Sequence, residues 1–91
     1  MKRMTFKELW KLRNKKIRKV LWERWKGNRQ IELLQLEDGS IFLRFTRWFE
    51  IYDQMYSSEI EEIVKVENTT PEFLANIKNM DFEELWKRWC K

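Results

Sequence analysis

FKELWKLRNKKIRKVLWERWKGN, residues 6–28, decides how this chain is read. At 100° per residue, Phe6, Leu9, Trp10, Ile17, Val20 and Leu21 fall in one stripe about a third of the way round a helix. Thr5 with Glu8 three residues on forms a capping box, and Gly27-Asn28 supplies the stop. The spacing predicts a long amphipathic N-terminal helix over about residues 6–26. Arg13 and Arg24 also point into the apolar stripe, where each is expected to reach past the core edge to a carboxylate.

The other side of that helix carries the charge. Lys7, Lys11, Lys15, Arg18, Lys19 and Lys26 lie opposite the apolar stripe, and Trp22 sits among them, three or four residues from Arg18, Lys19 and Lys26. Like charges at such spacings repel by about 0.2–0.5 kcal/mol a pair, so the cluster asks for a reason. Binding a polyanion is one: Lys and Arg take phosphates while an indole stacks on a base. The plain alternatives are a solvated face for the charges, and burial under the hairpin or in a dimer interface for Trp22.

Outward from this stretch the charge reverses. Residues 1–30 hold twelve Lys and Arg against two Glu, a formal +10; residues 31–85 hold four basic and thirteen acidic residues, a formal −9; residues 86–91 add three positive charges. A surface basic all over is therefore excluded, and the basic block is local. Ninety-one residues suit a single domain, 1–91, with one modest core. Charged residues at 37% with aromatics at 15% describe a charge-dense chain that still has enough apolar matter to fold, in the manner of a heat-adapted protein.

Three further elements are legible. Asp38-Gly39 between two apolar runs predicts a β-hairpin of residues 30–37 and 40–52 with a two-residue loop. That register pairs Leu36 with Ile41 and Leu34 with Leu43. It puts Leu34, Leu36, Ile41, Leu43, Phe45, Phe49 and Ile51 on the core face. Ile31, Leu33, Gln35, Phe42, Arg44, Thr46 and Trp48 take the second face, to be covered by the C-terminal helices or used as a stacking row. Residues 59–67 fit either a strand or a helical turn, and the β-branched run from Ile63 to Val66 favours a third strand. Two short C-terminal helices follow, one capped by Thr70 with Pro71 at its first position, the other capped by Asp81. The fold class is α+β: a long N-terminal helix, an antiparallel hairpin extended to three strands, and two short helices.

The chain has no histidine, one cysteine (Cys90) and only two glycines, twelve residues apart. That removes Ser-His and Cys-His pairs, the usual zinc ligands, and a glycine-rich phosphate loop. The dense carboxylates Glu59, Glu61, Glu62 and Glu67 read as a solvated acidic strand face. No enzyme activity, metal or cofactor is expected. The charged start and the lack of an 18-residue apolar run point to a cytoplasmic protein with no membrane span.

The expected function is non-catalytic nucleic-acid binding, DNA or RNA, with Lys7, Lys11, Lys15, Arg18, Lys19 and Lys26 on phosphates and Trp22 stacking. The alternative is a protein-interaction module, an inhibitor or accessory subunit that docks the basic helix on an acidic protein partner. The opposed charges of its two halves would also suit a homodimer.

Overall fold

The computed structural model describes Lys2–Arg3 and residues 17–90. Its elements are β1 (Lys2–Arg3), β2 (Ile17–Lys26), β3 (Arg29–Leu36), β4 (Ile41–Tyr52), β5 (Met55–Val66), α1 (Pro71–Asn79) and α2 (Phe82–Trp89). The strands form one antiparallel sheet in the order β1-β5-β4-β3-β2, four long strands with the two-residue β1 outside β5.

This corrects the long helix and the three-stranded sheet. Ile17–Lys26 is a strand, and the remainder of the expected helix, including its Thr5–Glu8 box, lies outside the described residues. The helical spacing has a physical source. Register shifts between Ile17 and Lys19 and between Val20 and Trp22 are β-bulges, each adding a residue to β2. Ile17, Val20, Glu23 and Trp25 thereby share one face, opposite Leu36, Leu34, Glu32 and Gln30. Two bulges stretch the strand's period of two into three, which imitates a helix. Gly27-Asn28 is no helix stop but the two-residue loop between Trp25-Lys26 and Arg29-Gln30. Gly27 has φ +61°, and its first central position is the one where a II′ hairpin turn requires glycine.

The second hairpin is also corrected, by one residue. Leu36 N–H donates to the Ser40 carbonyl and Gly39 N–H to the Leu36 carbonyl (both 3.0 Å), so the loop is Glu37-Asp38-Gly39, with Gly39 at φ +87°. This is a type I turn followed by a left-handed residue, a three-residue loop. Register becomes Leu33 with Leu43 and Leu34 with Phe42. A one-residue change exchanges the faces of one strand against the other. Ile41, Leu43 and Phe45 do face the main core, but their partners there are Ile31 and Leu33; Leu34 and Leu36 go to the opposite side.

The two helices pack on the first face. Thr70 accepts from Phe73 N–H with Pro71 opening α1, and Asp81 accepts from Glu83 N–H at the start of α2. Ile77, Phe82 and Leu85 join Ile31, Leu33, Leu43, Phe45, Val64 and Val66 in the main core, with Leu21, Trp22, Trp86 and Trp89 packed around it. On the second face Leu36, Phe42 and Ile63 make a smaller buried cluster, and Leu34 is buried alongside. There the nearly buried Glu32 carboxylate accepts from Arg44 Nε (3.0 Å) and Nη2 (2.9 Å). The row of Phe42, Arg44, Thr46 and Trp48 is thus no open platform, since Phe42 and Thr46 are buried, and the C-terminal helices lie on the other side of the sheet. Among the described residues no helix is long and apolar enough to cross a membrane.

Candidate functional site

Of the residues expected to bind polyanion, Lys7, Lys11 and Lys15 lie outside the described residues. Arg18 and Lys19 are on β2, where Lys19 is exposed. Trp22 is half-buried against the main core with the Arg24 guanidinium 5.2 Å from its ring centre. Lys26 reaches Glu83 (Nζ to Oε1, 3.1 Å). The four that are described, Arg18, Lys19, Trp22 and Lys26, therefore lie on a strand and not on a helix.

The basic residues at this end of the sheet are already engaged. Arg24 donates to the carbonyls of Met80 (2.9 Å) and Lys78 (3.0 Å), satisfying the end of α1 rather than meeting the carboxylate expected of it. Arg29 forks onto both Glu83 oxygens while lying 5.1 Å from the rings of Phe82 and Trp86. These hydrogen bonds, from Arg29 first and Lys26 second, lower the Glu83 carboxyl from 4.5 to about 2. Arg47 binds Glu61 (3.0 Å) and lies 5.7 Å from Trp86.

A different surface stands open. β3 ends at the Arg29–Arg47 pair, whereas β4 and β5 run on, paired through Trp48–Ser58, Glu50–Tyr56 and Tyr52–Met55. The outcome is a two-stranded arm. A bulge that leaves Glu61 unmatched between the Phe45–Glu62 and Thr46–Ile60 pairs marks where it departs, and Asp53-Gln54 makes its tip, with Gln54 at φ +65°. Phe49, Ile51, Tyr52, Met55, Tyr56 and Ile60 are all exposed along it, Tyr52 by 72%. Phe49 and Ile51, expected in the core, belong here because β3 is too short to give them a neighbour. Residues 49–62 carry Glu50, Asp53, Glu59, Glu61 and Glu62 and no Lys or Arg. Exposed aromatic and aliphatic side chains in such density, ringed by one sign of charge, are the chemistry of a contact surface.

At the arm's base lies an open cleft of about 520 Å³, lined by Trp25, Gly27, Asn28, Trp48, Phe49, Glu50 and Tyr56. Its wall is the Trp25–Trp48 pair, ring centres 5.8 Å apart and inclined at 38°. The Trp48 indole N–H donates to Gln30 Oε1 (3.0 Å), and Gln30 Nε2 donates to Glu23 Oε2 (3.2 Å). The turn at Asn28 is tied to β4 by Trp48 N–H on its carbonyl (2.8 Å) and by its own amide on the Trp48 carbonyl (3.1 Å). The Trp48 side chain and the Asn28 turn are thus held by internal hydrogen bonds.

Sequence reasoning passed over this surface because it assigned Phe49 and Ile51 to the core. The available signal was the run of acidic and aromatic residues from Phe49 to Glu62 without one cation. Among the described residues no group of His, Cys, Asp and Glu is placed to hold a metal ion. Set against models of known families, curated proteins and solved structures, the chain matches none of them.

Proposed function

We propose that this chain is a non-catalytic protein-interaction module whose acidic, aromatic arm docks on a basic surface of another protein. The observation that carries the reading is the arm itself: six large apolar side chains exposed on a stretch with five carboxylates and no cation. Exposing so much apolar surface is costly in a monomer unless a partner covers it, and Glu50, Asp53 and Glu59 select a partner of positive charge. The polarity is opposite to a basic helix seeking an acidic partner. A reducing cytoplasm suits a chain with a single cysteine.

The test uses an arginine-rich peptide with leucine at every fourth position as a stand-in for such a partner. Wild-type protein is expected to bind it at micromolar concentration, more weakly as salt rises. The exposed-arm variant Ile51→Ser/Tyr52→Ser/Tyr56→Ser, folded by circular dichroism, is expected to bind at least tenfold more weakly. Equal affinity for both proteins, or no binding by wild type, overturns the reading.

Twelve basic residues among the first thirty favour nucleic acid as a second reading, with Lys7, Lys11, Lys15, Arg18 and Lys19 on phosphates. Labelled duplex DNA, single-stranded DNA and RNA in the same assay decide it. Binding that survives the arm variant and is lost on reversing Lys15, Arg18 and Lys19 to Glu would make nucleic acid the ligand.

A further inference from the structure

Three of the five described tryptophans are used in one repeated way. Arg24 lies over Trp22 (5.2 Å), Arg29 and Arg47 over Trp86 (5.1 and 5.7 Å), and Arg88 over Trp89 (5.4 Å). A guanidinium is planar and weakly hydrated, so it stacks on an indole face and still donates to a carboxylate from its edge. Arg29 does both at once, on Trp86 and Glu83. Among the described residues, Trp25 and Trp48 are the two tryptophans with no cation over the ring. They meet each other instead, at a cleft whose lining pairs aromatic rings with a carboxylate, Glu50, and includes no Lys or Arg. Glu50 makes no ion pair among the described residues.

From this arrangement we infer that the Trp25–Trp48 cleft is the seat of an arginine side chain contributed by the protein partner, stacked on the indoles and paired with Glu50. The inference rests on the docking reading above and names the group that reading would recognise. The cleft fits the group on three counts. Its open side admits a long side chain from outside. Trp48 is held by its hydrogen bond to Gln30, so stacking does not require it to reorder. Tyr56 and Phe49 flank the seat and supply apolar contact for the arginine stem. Lysine is a poorer occupant, because its ammonium is a compact, strongly hydrated charge that cannot lie flat on the ring.

The experiment uses three versions of one short peptide with a single arginine, a lysine, or citrulline at the same place, citrulline being the neutral counterpart of arginine in shape. Binding is followed through the indole Nε1–H resonances of Trp25 and Trp48. The arginine peptide is expected to bind about tenfold more tightly than the citrulline peptide, with the lysine peptide between them. In Trp25→Ala and in Glu50→Gln, both at exposed side chains, the arginine-to-citrulline ratio is expected to fall below threefold. A ratio near one in wild type overturns the inference, as does a ratio that survives both substitutions. If the arm variant abolishes docking while Trp25→Ala and Glu50→Gln leave it intact, the docking reading stands and the arginine seat falls. If the arm variant changes nothing, the docking reading falls first.

Discussion

From Ile41 to Phe45, β4 sends alternate side chains into two buried layers; from Phe49 to Tyr52 the same strand has no layer to enter. Phe45 is fully buried and Tyr52 is 72% exposed, although both are aromatic residues of one strand paired along its length with β5. The difference comes from the neighbours. β3 pairs with β4 only as far as Arg29–Arg47, and Phe82 and Leu85 of α2 pack over Phe45, not over Phe49. Alternation of apolar and polar residues therefore identifies a strand without telling where its core ends. That is fixed by the length of the strand beside it.

The contrast can be broken most sharply at Phe45. Phe45→Ala removes the ring at the centre of the main core and is expected to cost about 3–5 kcal/mol in urea denaturation. Tyr52→Ala on the arm should stay within about 0.5 kcal/mol of wild type. Comparable losses at the two sites would mean that the arm is part of the folding core. Next comes the buried pair on the second face. Arg44→Met leaves the Glu32 carboxylate buried without its cation and should cost about 3 kcal/mol, whereas adding Glu32→Leu should recover most of it. A double variant no more stable than the single one would show that the pair itself stabilises the sheet.

Smaller effects sharpen the comparison. Gly39 and Gln54 hold corresponding left-handed positions in the two hairpin turns of β4. Gln54→Gly should therefore stabilise the arm by about 0.5–1 kcal/mol, read as slower amide exchange between Phe49 and Ser58, with little change in global stability. Glu83 belongs to the opposite regime, tying β2 and β3 to α2. Its carboxyl is lowered to about 2 from 4.5, so its contribution is complete above about 4.5 and fades as pH falls toward 2. Glu83→Gln should flatten that part of the stability–pH curve; an unchanged acid limb would remove the ion pair from the account.

Much of the C-terminal half was legible because its signals are local. Thr70-Pro71 and Asp81 announce their helices by capping chemistry, which depends on three or four adjacent residues. The N-terminal reading failed where β2 is irregular. With Arg18 and Leu21 as the extra residues of two bulges, Ile17, Val20 and Glu23 recur every third position, and no single-strand pattern separates that from a helix. Gly27-Asn28 did carry the competing signal, since Gly-Asn between two apolar segments is also a hairpin loop. The turn at Asp38-Gly39 was legible as a turn but not in its length, and that one residue moved Leu34 and Leu36 to the other face. The arm escaped notice for a related reason. Its exposure is set by strand lengths, which depend on long-range pairing. Of the seven predicted polyanion contacts, Lys19, Trp22 and Lys26 do share one face of β2, but it is the face that meets the main core and α2, where Trp22 is half-buried and Lys26 is tied to Glu83.

The carboxylates of the arm have a second consequence, for solubility. Among the described residues the outer edge of β5 is paired only where β1 meets Val64 and Lys65, so the N–H and C=O groups from Met55 to Ile60 stand ready to template another strand. The segment around them is rich in Ile, Tyr and Phe and would favour stacking into fibrils were it uncharged. At neutral pH, Glu50, Asp53 and Glu59 keep two such ribbons apart by repulsion. Replacing the three by Gln, Asn and Gln lifts that guard, and the variant should turn turbid and bind thioflavin while its core is still folded.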